Sequence, residues 1–126
     1  MNDASPETQH FDRKSVRTVT GHTADFYELA RDCVAFANST GGFLLIGIED
    51  DQERPPPDQR IDPGLLDTLR KRLGELTVNV VVLPEICRDE NGGEFIRLVV
   101  RHSDGVASTS NGRYYQRVGD TRSPVV

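Results

Sequence analysis

Residues 34–51 read V-A-F-A-N-S-T-G-G-F-L-L-I-G-I-E-D-D, and the reading of this stretch decides the fold. An amphipathic helix stops on two glycines, Gly41 and Gly42, which suit the left-handed positions that close a helix. Residues 43–48 follow as a strand that is apolar on both faces and therefore reads as buried. Glu49, Asp50 and Asp51 leave that strand at a sheet end, where a rigid element can hold carboxylates at a site. The plainer alternative is a helix–strand junction with a solvated acidic loop.

Working outward toward the N-terminus, Phe26, Leu29, Ala30, Cys33, Val34 and Ala37 keep the i, i+3, i+4, i+7 spacing of a buried helix face, so the helix runs to about Ser39. Thr23 is placed to cap it, with Asp25 in its first turn at the positive dipole end. Residues 18–22 form a turn pivoting on Gly21, residues 10–16 a short strand, and residues 1–9 a flexible start. Toward the C-terminus, residues 50–60 hold Pro55, Pro56 and Pro57 among charges and read as a surface loop and candidate recognition segment. Asp62-Pro63 is a helix start. Leu65, Leu66, Leu69 and Leu73 supply the apolar face of that helix, and Gly74 is expected to end it. Residues 78–87 read as a strand in which Pro84 marks an edge or bulge. Residues 89–93 (D-E-N-G-G) make a hairpin turn, 94–101 the returning strand, 103–112 a polar loop and 113–118 a last strand closed by Gly119. The order predicts an α+β (mixed α/β) fold, with about five to six strands in a mixed sheet and two main helices.

A chain of 126 residues is one domain long and can bury a core without staples. No apolar run reaches the roughly 18 residues of a membrane span, and the polar, acidic start is no signal peptide, so a cytoplasmic protein without membrane contact is expected. Cys33 and Cys87 sit inside apolar patterns and read as reduced core residues. The net charge of −5 argues against strong non-specific DNA binding, but it is unevenly spread: residues 1–62 carry 12 acids and 6 bases, and residues 97–126 carry 2 acids and 5 bases. Nucleic-acid binding needs a local basic surface rather than a basic total.

Three constellations could carry chemistry. The first is the carboxylate set Glu7, Asp12, Glu49, Asp50 and Asp51. If the first strand pairs with residues 43–49, Asp12 and the acids beyond that strand could meet at one end and bind Mg²⁺ or Mn²⁺ through hard oxygen ligands; scattered surface acids are the alternative. The second is Arg113, Tyr114, Tyr115 and Arg117 on the last strand, with Arg101 and His102 in the neighbouring strand. Arg113, Tyr115 and Arg117 share one face by period two and could contact phosphates and stack bases; alternatively a tyrosine plugs the core edge. The third is Arg13, Lys14 and Arg17. Lys14, two residues from Asp12, could bridge a phosphate or simply neutralise Asp12. There is no phosphate-binding P-loop, dinucleotide fingerprint or zinc-ligand spacing.

Three segments in order, F-D-R-K-S, V-A-F-A-N-S-T-G-G-F-L-L-I-G-I-E-D and Y-Y-Q-R-V-G-D-T-R, resemble the Schlafen AlbA-type (AlbA_2) domain family. The resemblance spans roughly residues 7–122, which places a single such domain at 10–122 and a short tail at 123–126. It implies a mixed α/β fold that binds DNA or RNA, often within a bacterial transcriptional regulator, here excised or stand-alone. Arg13, Lys14, Arg101, Arg113, Tyr115 and Arg117 would then contact nucleic acid. In animal Schlafens a related domain is a metal-dependent endoribonuclease with three carboxylates. By motif position these fall on Glu7, Asp12 and Asp50, which would hold Mg²⁺ or Mn²⁺ beside Lys14, and a homodimer would be needed to imitate the two-lobed arrangement. A protein-interaction or oligomerisation domain is a further alternative.

Overall fold

The structure is a computed structural model in which residues 11–119 and 121–124 are described. The expectations placed on residues 1–9 and on His10 therefore lie outside the described residues. The elements run β1 (Phe11–Lys14), α1 (Phe26–Asn38), β2 (Gly42–Ile46), α2 (Gly64–Leu76), β3 (Thr77–Val78), β4 (Val82–Arg88), β5 (Glu94–Val100), β6 (Ser108–Thr109), β7 (Tyr115–Val118) and β8 (Thr121–Pro124). This is an α+β fold. The main sheet has the order β1-β2-β5-β4, with β1 parallel to β2 and the other pairs antiparallel. Two small two-stranded ribbons, β3–β6 and β7–β8, complete it.

Period two sorts the main sheet into two faces. Leu44, Ile46, Ile96, Leu98 and Val100 share the face on which both helices pack. They form the core with Leu29, Cys33 and Phe36 of α1 and Leu69 and Leu73 of α2. The opposite face carries Phe11 and Phe43, stacked at 5.5 Å, with the Arg97 guanidinium 5.0 Å from the Phe43 ring centre. β1 contributes Asp12 and Lys14 to the helix-covered face, because they pair in register with Leu44 and Ile46. Two charged residues thus enter from the core side of the sheet.

Local chemistry moved several boundaries. Asp25, not Thr23, is the cap of α1: its carboxylate accepts the Glu28 amide proton, while residue 23 belongs to a preceding 3-10 turn. β2 ends at Ile46 because Gly47 turns out of the sheet at φ 112°. α2 continues through Gly74 to Leu76, carried by a core-packed Leu76 and an Arg72–Glu75 pair at 2.8 Å; a mid-helix glycine costs only about 1 kcal/mol. The expected strand over 78–87 is broken by Asn79, which adopts φ 63°, a conformation asparagine tolerates better than most residues. Its second part, β4, is an edge strand, as Pro84 suggested.

The proline-rich segment is pinned to the β4–β5 hairpin. Arg54 pairs with Asp89 at 2.7 Å, the Asn91 amide donates to the Pro55 carbonyl at 2.8 Å, and Gln59 donates to the carbonyls of Gly47 and Glu94. A Cβ at Gly93 would lie 2.2 Å from the Pro56 carbonyl oxygen, so only glycine admits this contact. Among the described residues, no helix is long and apolar enough to cross a membrane.

Candidate functional site

The end of α1 organises the C-terminal third. Gly41, at φ 77°, closes the helix by donating to the Phe36 carbonyl at 2.9 Å. Just before it, the Asn38 amide donates to the carbonyls of Ala107 (2.8 Å) and Tyr115 (2.9 Å), and its Oδ1 accepts from the Ala107 amide (2.7 Å). Ser39 Oγ accepts from the Arg117 backbone N–H at 2.9 Å. The N-S-T-G-G stretch therefore fastens β7 onto the helix, and backbone groups that the short strand cannot pair are satisfied by side chains.

Beside this staple lies an ion-pair network drawn from four elements. Lys14 Nζ of β1 sits 2.9 Å from Asp32 Oδ2 and 3.3 Å from Glu28 Oε2, both on α1, and 3.9 Å from Asp12 Oδ2 on its own strand. The Arg117 guanidinium of β7 approaches Asp12 Oδ2 at 3.4 Å and lies 4.6 Å over the Phe36 ring. Arg122 of β8 meets Asp32 Oδ1 at 3.0 Å and stacks over Tyr115 at 5.6 Å. Three carboxylates face three cations, so the network is neutral when all are ionised. Burial pushes the Lys14 ammonium down, but the neighbouring Asp32, then Asp12 and Glu28, more than offset it and raise it above its ordinary range. Burial raises the Asp32 carboxyl against the pull of Lys14 and Arg122.

The network decides where the expected site residues fall. Glu7 lies outside the described residues. Asp12 is engaged by Arg117, Lys14 and its neighbour's backbone, with Arg13 N donating to Oδ1 at 2.8 Å. It stands level with Leu44, six residues before Asp50 along β2 and its exit. Asp50 is in an exposed turn, and Glu49 makes a surface pair with Arg17 at 3.7 Å. Among the described residues, no group of three His, Cys, Asp or Glu is arranged to hold a metal ion, and Asp12 is committed to cations of the protein. As placed, the described pair does not fit a shared divalent ion. Of the expected nucleic-acid contacts, Arg117 is buried in the network. Arg13 is buried with its guanidinium 5.6 Å over Phe11, Lys14 is turned inward, and the half-buried Tyr115 packs on the core. Period two does place Tyr115 and Arg117 on one face of β7, but that face points inward. Arg101 and Arg113 are exposed, and Arg101 lines a shallow cleft with His102, Asn79, Val81 and Asp104.

Glu28, Asp32 and Arg122 were missed from sequence, as were Asn38 and Ser39 as a staple. One signal was present: Glu28 and Asp32 stand at i, i+4, where like charges repel unless a cation bridges them, and Asp32 falls within the apolar run of α1.

Residues 7–126 match the family model described as Schlafen, AlbA_2. Among solved structures, the chain is similar to the DIP2311 protein from Corynebacterium diphtheriae, with 22% identity and a TM-score of 0.62. The match covers 93% of this chain and 22% of that one, so the present chain spans about a fifth of that protein's length. The likeness is one of fold. No curated protein matches the chain.

Proposed function

Because the chain belongs to the Schlafen AlbA_2 family, we propose that it is a nucleic-acid-binding module that grips the phosphate backbone of DNA or RNA. The observation that carries this reading is the fate of the bases in the C-terminal third. Arg97, Arg101 and Arg113 are exposed, whereas Arg117 and Arg122 neutralise internal acids. Exposed Arg101 and Arg113 offer positive charge at the surface of a chain of net charge −5, and guanidinium forks suit phosphate oxygens. Arg13, Lys14 and Arg117, expected from the sequence as contacts, act in this proposal as the frame behind the surface. The setting we propose is the cytoplasm, within a bacterial transcriptional regulator.

The test is a gel-shift and cleavage assay on structured RNA and duplex DNA, with Mn²⁺ and with EDTA. A binding module gives a shift that weakens steeply with salt through counterion release. That shift is reduced by Arg101→Glu and Arg113→Glu and indifferent to Asp50→Ala. Mn²⁺-dependent RNA cleavage that Asp50→Ala abolishes would replace this reading with that of a metal-dependent endoribonuclease using Glu7, Asp12 and Asp50. Absence of both signals would leave a protein-interaction or oligomerisation domain.

A further inference from the structure

Tyr27 and Arg31 stand one turn apart on the outer face of α1, a pair that the expected contact set did not include. The Arg31 guanidinium lies 5.2 Å over the Tyr27 ring. The Tyr27 hydroxyl donates to Asn111 Oδ1 at 3.0 Å, and Thr109 Oγ1 donates to the same oxygen. Asn111 sits in the tight turn between β6 and β7. That turn is closed by Thr109 N donating to the Arg113 carbonyl at 2.8 Å and Arg113 N donating to Thr109 Oγ1 at 3.0 Å. One phenol thus tethers the turn to the helix, and the charges of both Arg31 and Arg113 act on it.

The electrostatics of the patch are one-sided. The Tyr27 phenol is held below its ordinary value, first by hydrogen bonding with Asn111 and Thr109 and then by the charges of Arg31 and Arg113. Among the described residues, neither guanidinium is in an ion pair, unlike the seven bases paired at Lys14, Arg17, Arg54, Arg70, Arg72, Arg117 and Arg122. Arg31 Nε is buried without a hydrogen-bond partner. Next along the chain from Arg113, Tyr114 leaves 43% of its surface exposed. Two unneutralised guanidiniums with an adjacent exposed ring suit a phosphodiester and an unstacked base.

We propose that Arg31, Arg113 and Tyr114, positioned by the Tyr27–Asn111 tether, form a subsite for single-stranded nucleic acid, the two arginines taking the phosphate and Tyr114 a base. This rests on the nucleic-acid-binding reading and deepens it by naming the strand form and the contacts. An unpaired strand is required because a base inside a duplex cannot stack on a surface tyrosine.

The experiment is fluorescence anisotropy of the chain with labelled single-stranded RNA, single-stranded DNA and duplex DNA across a salt series. Variants are first matched to the parent by their unfolding midpoints. Arg31→Glu and Arg113→Glu should each weaken single-strand binding about tenfold or more and flatten the log–log salt slope by about 1. Arg31→Lys and Arg113→Lys should recover most of the slope, because the charge is kept. Tyr114→Ala should weaken single-strand binding about tenfold while leaving the salt slope and duplex binding unchanged. Tyr27→Phe should weaken binding by loosening the turn without removing a charge. If both reversals leave binding intact while Arg101→Glu abolishes it, the subsite is wrong and the nucleic-acid reading stands. If the parent chain binds none of the three probes, both fall. Equal losses for single strand and duplex in Tyr114→Ala would overturn the single-strand assignment.

Discussion

Asn38 carries more of the architecture than its place at a helix end suggests. Its side chain answers three backbone groups on two segments, around Ala107 and Tyr115, that neither helix nor sheet pairing reaches. Asn38→Ala leaves them without partners, and a loss of roughly 2–3 kcal/mol is expected, readable as a lower urea midpoint with unchanged slope. Lys14 plays the electrostatic counterpart. Its folded pKa is raised above the ordinary 10.5 by Asp32, Asp12 and Glu28 against the cost of burial. The sign follows by linkage: this contribution to stability is complete below that ordinary value and is lost as pH rises through the folded one. Asp32 works in the other range. A carboxyl raised by burial favours folding most when protonated, so its contribution declines as pH rises from 3.8 through the folded value. Chemical denaturation from neutral pH to strongly alkaline pH should show a fall in stability above pH 10.5 that is diminished in Lys14→Met. The Met variant should also be less stable at neutral pH, because three carboxylates then lack their shared cation.

At the scale of elements, the β7–β8 ribbon and the β4–β5 hairpin are both held by contacts outside their own ladders. Arg117 ties β7 to β1 through Asp12 and to α1 through Phe36. Its removal leaves a buried carboxylate short of a partner. Arg117→Ala is therefore expected to lower stability by about 3–5 kcal/mol, whereas Arg113→Ala, on the exposed turn, should stay within about 0.5 kcal/mol of the parent. The contrast, measured by thermal or urea unfolding, separates frame from surface among residues of the same type a few positions apart. At the hairpin, Gly93→Ala forces the Cβ against the Pro56 carbonyl. A cost of about 1–3 kcal/mol is expected, along with release of the proline-rich segment, visible as faster proteolysis within residues 50–60.

For the molecule as a whole, the two cysteines report on the core. Cys33 is buried and its thiol is pushed far up by burial, while Cys87 is partly exposed on edge strand β4. A thiol reagent at mild alkaline pH should modify Cys87 in the folded protein and Cys33 only after denaturant is added, as mass spectrometry of the labelled peptides would show. Labelling of both at equal rates would mean that the core opens readily. The balance of charge also belongs to this scale. Internal pairing removes Lys14, Arg117 and Arg122 from the surface, so any grip on nucleic acid depends on few arginines, and its salt slope should be correspondingly shallow, on the order of 2 to 3.

Two helices, the apolar strand that follows the glycine pair, and the hairpin around residues 89–93 follow from local patterning, because burial periodicity and glycine conformations are set within a few residues. The family, too, was legible in three short segments. What the chain alone left open was the destination of each charge. Asp12 and Lys14 alternate toward one face, but only the parallel β1–β2 register aims that face at α1. Arg117 and Arg113 look equivalent by period two. Yet β7 begins at Tyr115, and the Ser39 and Asn38 contacts turn Arg117 inward while the preceding turn leaves Arg113 outside. The physical reason is range: a helix or strand is decided by neighbours along the chain, whereas the partner of a guanidinium is whichever carboxylate the packed elements bring within a few ångströms of it.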